Sequence, residues 1–395
     1  MFTKPLVLLC VSIFLAYANQ SILTPTIPLF VTKLGGSASV AGLALLAFSA
    51  PSFLVRPMLG RHADRIGHAT MLMLGVAALT LAGGVFFIPL LAAVFVACAA
   101  RGVAWAATNI GGYAYLATAA PADRRGEATG YYSSVLGSAS VIFPALALWM
   151  INGHGGFVGV FAASCAFAAL SIPVAWALHK HDHAERRTAA AADPEEAERR
   201  AAAASSKTSL LNRGLVVAML LSLAQGLPSP AVNAFLPLFA RHEHLGNVGL
   251  YYMLAGVLAV LVRPFLGRRS DTLGQGPIIA VGLFLQALGF VVIWLGHALP
   301  VVLAGAVIAS LGPALIVSAT TAMAMEAAPA DRRGQAMATF TMTFQIGVGF
   351  GGVLAGALAD LVGLRNMYLG PLAVTLIGAG VLAAVWKGLP RPIRV

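Results

Sequence analysis

Charge is what this chain has least of. Of its 395 residues only 10% are Asp, Glu, Lys or Arg, while 59% are hydrophobic and the mean hydropathy is +0.86. A soluble domain cannot cover its surface with so few ions, so lipid must be the main solvent. Cysteine is scarce too. Cys10, Cys98 and Cys165 each fall inside an apolar stretch, which excludes a disulfide framework and a cysteine metal site. Neither HExxH, a phosphate loop with its lysine, nor a nucleophile elbow is found, so no catalytic residue and no enzymatic activity is expected. The His242-Glu243-His244 run stands in a loop. Two-residue alternation is missing from the apolar stretches, which excludes a barrel and leaves helices.

Apolar runs long enough to cross a bilayer, about 20 residues each, are there in number. They predict spans at 6–31, 38–59, 70–89, 91–119, 127–151 and 156–178, then at 210–239, 247–267, 277–296, 300–327, 335–359 and 366–387. An apolar N-terminus followed by Ala16-Tyr17-Ala18 imitates a signal peptide, but the run continues through Phe30 and has a later counterpart, so cleavage is not expected.

The formal charge of +11 is distributed by topology. With an even number of spans and the N-terminus inside, only Lys33, Arg241 and Arg365 lie outside, whereas Arg61, Arg65, Arg124, Arg125, Arg268, Arg269, Arg332 and Arg333 lie inside with the linker and C-terminal cations. That asymmetry places both termini in the cytoplasm of a bacterial inner membrane, and basic loops beside anionic lipid account for it without nucleic acid.

Internal repetition is the strongest pattern. LVRPMLGRHADRIG at 54–67 matches LVRPFLGRRSDTLG at 261–274, APADRRG at 120–126 recurs at 328–334, and IPLFV at 27–31 echoes LPLFA at 236–240. The three offsets agree within two residues, so the chain reads as a duplicated six-span unit. The fold class expected is an all-α membrane protein, with twelve transmembrane helices in two pseudo-symmetric six-helix bundles. The bundles occupy 1–178 and 210–395, and a charged cytoplasmic linker at 179–209 joins them, part of it a surface-lying amphipathic helix. His179, His181 and His183 alternate in that linker and read as a solvated loop rather than a metal site. A monomer is the expected unit.

The repeated loop, Gly60-Arg61-His62-Ala63-Asp64-Arg65-Ile66-Gly67 with its copy around Asp271, resembles the signature of the major facilitator superfamily. Membership implies transport by alternating access, with this loop a gate formed by Gly60, Asp64, Arg65 and Gly67. In physical terms Gly60 permits a close helix approach, and Asp64 can accept hydrogen bonds at a helix N-terminus or from Arg65. The family continues with basic residues after Gly67, but here His68 and Ala69 follow. Cationic parts of a latch then fall to Arg61, Arg65 or the pairs Asp123/Arg124 and Asp331/Arg332.

Arg101 lies deep in the fourth span, where an arginine must face protein or water. Its place is similar to that of the family's helix-4 arginine, although Trp105 stands where the motif has glycine. Helical spacing puts Arg101, Trp105, Thr108 and Gly112 on one face, with the indole in reach of the guanidinium, and predicts that face as a cavity wall. The family's drug:proton antiporter branch carries a Gly-Pro motif in helix 5, whereas this chain spreads Gly130, Gly137, Ser138 and Pro144.

Polar stripes at helical spacing mark a central path. Tyr17, Gln20 and Thr24 lie on the first span, Asn109 on the fourth, Ser222, Gln225, Ser229 and Asn233 on the seventh, and Ser310, Ser318 and Thr321 on the tenth. Tyr113, Tyr131, Tyr132, Tyr251, Tyr252 and Met323 add an adaptable apolar lining. No acid lies at mid-membrane. Glu326, Glu127 and Asp64 are the nearest titratable groups for proton coupling. The expectation is a carrier without cofactor, driven by the proton gradient, that exports small organic molecules. Uptake or facilitated diffusion of a sugar, organic acid or amino acid is the alternative, and a non-transporting receptor or scaffold a second.

Overall fold

A computed structural model describes residues 3–119, 125–153, 155–192, 213–258, 275–327 and 333–386. Among them every regular element is helical. The first half holds α1 (Lys4–Leu23), α2 (Thr26–Lys33), α3 (Ala38–Leu54), α4 (Arg56–Ile66), α5 (His68–Gly84), α6 (Leu91–Ala119), α7 (Arg125–Gly153) and α8 (Gly156–Ala192). The second holds α9 (Arg213–Gly226), α10 (Ser229–Asn233), α11 (Leu236–His242), α12 (Gly249–Leu258), α13 (Gln275–Leu295), α14 (Leu299–Ala327), α15 (Arg333–Val362) and α16 (Leu369–Val385). Among the described residues ten helical spans, with α1–α2 and α9–α11 each counted once, are long and apolar enough to cross a bilayer, and the bent pair α3–α4 makes an eleventh. The expected span at 247–267 is described only as α12, since its continuation lies outside the described residues.

Several spans expected to be continuous are broken, and proline explains where. The first interrupts at Thr24–Pro25, where the missing N–H cannot close the helical ladder. Neighbouring hydroxyls take up exposed carbonyls: Thr24 donates to Gln20 O at 3.1 Å and Thr26 to Ile22 O at 2.6 Å. Lipid offers no alternative partner, so a break in mid-bilayer needs such internal donors. The seventh span breaks around Pro228 and again before Pro237, the second break falling within a residue of the first span's break in the repeat register, giving α9, α10 and α11. Its polar stripe therefore does not run on one uninterrupted helix. The second span bends by 45° between α3 and α4, with Pro51 before the bend and Pro57 after it.

The sixth span also departs from expectation. α8 runs on past residue 178 to Ala192, so the start of the expected linker prolongs a spanning helix instead of lying along the surface. His179 there meets the Thr70 hydroxyl through Nδ1 at 2.9 Å, tying α8 to α5. Gly60, expected at a close helix approach, has open space where a side chain would stand.

The halves meet mainly along α3 and α15. Gly42 abuts the Gly352 carbonyl, Gly356 abuts the Ala38 carbonyl, and Ser49 packs at Gly349. The other glycines of α15, Gly347 and Gly351, face Leu223 and Leu227 of its own half, so one helix is smooth on two sides. Asp360, near the end of α15, accepts from the backbone N–H of Ala38 at 3.0 Å and of Ser39 at 2.8 Å. A carboxylate here satisfies orphan donors of α3 and meets the positive end of its dipole. Arg241 adds a bond to Asn152 at 2.9 Å across the same end.

Beyond the bend the halves part. α4 packs on α5 and α6 of its own half. One apolar core embraces the first half together with Phe235, Phe239 and Tyr368 of the second. Leu215, Ile279, Ile316, Met323 and Phe340 form a separate core at the other end of the second half. The molecule is thus closed at the end of the 34–37 turn. Within the second half that end is stitched by Arg365, which donates to Trp294 O, Gly296 O and Glu243 and lies over the Phe239 ring. The hydrogen bond from Arg365 holds the Glu243 carboxyl below the usual carboxylate range.

A Ser39→Cys/Asp360→Cys pair, in a chain with Cys10, Cys98 and Cys165 replaced by alanine, should oxidise rapidly and nearly completely to a disulfide. A gel shift after cleavage at a protease site inserted in the 193–212 segment reads it out. Failure to cross-link would remove the α3–α15 contact from the resting structure.

Candidate functional site

Arg101 sits ten residues into α6, about 15 Å along its axis, and is 1% exposed. Its Nη2 donates to Gln20 Oε1 at 2.7 Å and to Asn19 Oδ1 at 3.4 Å, and Nε has no partner among the described residues. Asn19 in turn donates to Ser164 O at 2.8 Å, which anchors the cluster to α8. Phe48 and Phe86 stand against the guanidinium at 5.5 and 5.8 Å. No carboxylate compensates this charge among the described residues. Amide dipoles and ring faces carry it instead.

Trp105 is not the ring that Arg101 uses. Helical side chains lean toward the N-terminus of their helix, so Arg101 reaches back to Phe86 and away from the following turn. Trp105 pairs with Tyr17 instead, ring centroids 4.6 Å apart. Tyr17 donates to Asn109 Oδ1 at 3.1 Å, and Asn109 donates to the Trp105 carbonyl at 2.9 Å. The face carrying Arg101, Trp105 and Asn109 is thereby packed against α1, each residue below a tenth exposed. Close backbone approaches hold it there, since Gly102 abuts the Phe48 carbonyl and Gly75 abuts Thr108.

In the second half the expected residues form a neutral chain. Asn233 donates to Ser229 Oγ at 3.0 Å, and accepts from the Tyr251 hydroxyl at 3.4 Å and, through its carbonyl, from Tyr252 at 2.8 Å. Tyr251 also reaches Ser310 of α14. Asn233 is exposed and Ser229 half-buried. Gln225 turns inward and donates to Pro313 O at 2.9 Å, so it serves the join between α9 and α14. Of the aromatic residues expected to line a path, Tyr113 and Tyr131 are exposed, while Tyr132, Tyr251, Tyr252 and Met323 are buried.

The gate residues are described in part. Gly67 turns the chain at φ +101° between α4 and α5, and Arg65 is exposed. Asp123, Arg124, Asp271, Asp331 and Arg332 lie outside the described residues, as do the side chains of Asp64 and Glu127. Glu326 is exposed at the end of α14. One residue that the sequence reading passed over is Arg56, at the head of α4, whose Nε is buried without a partner among the described residues. Its signal was available: an arginine inside the expected span 38–59, repeated at 263.

Known proteins agree with this architecture. The family model for the Major Facilitator Superfamily matches residues 9–299 and 247–395. A staphylopine export protein of Staphylococcus aureus is 23% identical over 399 positions, covering 98% of this chain and 97% of that one. An uncharacterised MFS-type transporter of Methanocaldococcus jannaschii is 26% identical over 264 positions, 64% of either chain. Among solved structures, a POT family transporter in complex with a thioalcohol-conjugated peptide superposes with a TM-score of 0.79 at 12% identity, covering 97% of this chain and 96% of that one. A peptide transporter POT in complex with sulfate gives 0.73 at 15% identity, covering 98% and 96%. With a family match across the chain and a shared fold, this multi-pass membrane protein belongs to the Major Facilitator Superfamily of transporters.

Proposed function

We propose that the chain is a secondary active exporter of small organic molecules, coupled to the proton gradient across a bacterial inner membrane. The observation that carries this reading is the buried setting of Arg101, whose charge no acid compensates among the described residues. A cation in that setting favours an anionic partner that arrives and leaves, which is the behaviour of a substrate or an exchanging acid. Export is favoured by the full-length similarity to a staphylopine export protein.

The packing supports a reading by alternating access. Bundles 1–178 and 210–395, joined by 179–209, rock about Arg101, Gln20, Tyr17, Trp105 and Asn109 on one side and Gln225, Ser229, Asn233 and Tyr251 on the other. The end closed by α3 and α15 is the outer face, with the termini cytoplasmic. At the inner face, Gly60, Asp64, Arg65 and Gly67 act with Asp123, Arg124, Asp271, Asp331 and Arg332 as the gate that closes in the opposite state. Glu326 and Glu127 are the acids assigned to coupling.

In proteoliposomes, flux of a panel of dyes and metabolites should rise several-fold under an imposed pH gradient. Flux indifferent to the gradient removes the antiporter and favours facilitated diffusion. Arg101→Ala should lower flux by at least ten-fold with the protein still folded; unchanged activity would point to a receptor or scaffold. Single cysteines placed at 123 and 331 should react with a membrane-impermeant maleimide from one and the same side, and labelling from opposite sides breaks the duplicated topology.

A further inference from the structure

From Ala16 to Val31 every residue of the first span is buried except Tyr17, Gln20 and Thr24. A stripe turned to lipid would be apolar, so a phenol, an amide and a hydroxyl in one line mark the face turned to an aqueous path. Tyr17 closes its part of that line on Trp105, ring centroids 4.6 Å apart, and on Asn109 at 3.1 Å. Gln20, one turn further along, is half-buried and reaches inward, with Oε1 at 2.7 Å from Arg101 Nη2. Arg101 is sealed, and Asn19, the other amide on Nη2, is fully buried and fixed to Ser164 O at 2.8 Å. Gln20 is thus the member of the cluster that can leave it toward the path.

The bonds it would leave are an incomplete set. A guanidinium carries five N–H donors. The described acceptors, Gln20 Oε1 and Asn19 Oδ1 at 3.4 Å, both meet Nη2, while the buried Nε has none. Nε and Nη2 lie on one edge of the planar fork, so a single amide oxygen fills half of an edge made for two. A carboxylate fills both positions and brings its charge to a cation that no acid compensates among the described residues. Phe48 and Phe86, at 5.5 and 5.8 Å, wall the guanidinium with apolar rings, where charge pairing is weakly screened. An amide ligand would gain no more than Gln20 already gives, and an ammonium would be repelled.

We propose that Gln20 holds on Arg101 the place of a substrate oxyanion. The carboxylate of an organic anion, or an equivalent two-oxygen group, displaces the amide and takes Nη2 and Nε together. This assignment rests on the transporter reading above and narrows its substrate class to organic anions.

The test uses the purified full chain in neutral detergent at neutral pH and fixed ionic strength, with benzoate, benzamide and benzylamine as size-matched probes. Wild-type protein should bind benzoate about ten-fold more tightly than benzamide, the margin of a charge-assisted over a neutral bond, and benzylamine more weakly still. Gln20→Glu carries its own carboxylate to the same edge and should lose the benzoate preference. Gln20→Leu removes the competing amide and should keep it, with benzoate bound at least as tightly as by wild type. A merely structural amide predicts the opposite pair of results, because leucine would break the bond that glutamate preserves. Equal binding of benzoate and benzamide by wild type, a preference that survives in Gln20→Glu, or one lost in a folded Gln20→Leu overturns the proposal. If one variant fails to fold, the other decides. Probe flux without benzoate preference keeps the transporter and removes this site, whereas a preference that Gln20→Glu abolishes, in a protein without flux, keeps the site and removes the transporter.

Discussion

Hydrocarbon gives a polar group nowhere to go, and this constraint shapes nearly every deviation from straight helices in the molecule. Each proline that interrupts a span frees a carbonyl, and a side chain from the same or the next helix has to answer. Tyr252 answers at the seventh span by bonding the Asn233 carbonyl that Pro237 leaves without its helical donor, while at the first break Thr24 and Thr26 bond back to Gln20 and Ile22 of their own helix. The same rule explains Gln225, which joins α9 to the Pro313 carbonyl of α14. It also explains why Asn19 and Gln20 are consecutive, since both amides serve one guanidinium.

With polar groups settled internally, helix association must come from close packing, because lipid tails are as apolar as leucine. Glycine faces supply it. α15 uses alternate glycines for two partners, one pair toward the seventh span and one toward α3. That division gives α15 two close-packed faces, one committed to its own bundle and one laid against α3 of the other half. Asp360 adds the polar closure, and its two backbone bonds are the kind of contact that water can replace once the faces part.

How far the sequence spoke depended on the range of the interaction. Span positions, the duplication and the buried Arg101 are local patterns of hydropathy and repeat, and they read directly. The breaks at Pro25 and Pro228 lie inside spans expected to be continuous, since hydropathy carries no record of the backbone donor that proline lacks. Asp360 was not, since its donors lie 322 and 321 residues away and nothing near it in the chain signals a helix N-terminus. Arg101's partners were misread for a related reason. Spacing places Trp105 one turn on, but side-chain lean sends the guanidinium the other way, to Phe48 and Phe86. Arg56 lies inside the expected span 38–59, and only the bend after α3 makes it the opening residue of a separate helix with its Nε buried.

Arg101 of the first half and Asn233 of the second are settled by the same rule with different partners. Two amides share the guanidinium, while the described partners of Asn233 are neutral hydroxyls. Neither cluster uses a carboxylate among the described residues, so each is held by hydrogen bonds that can be exchanged without separating opposite charges.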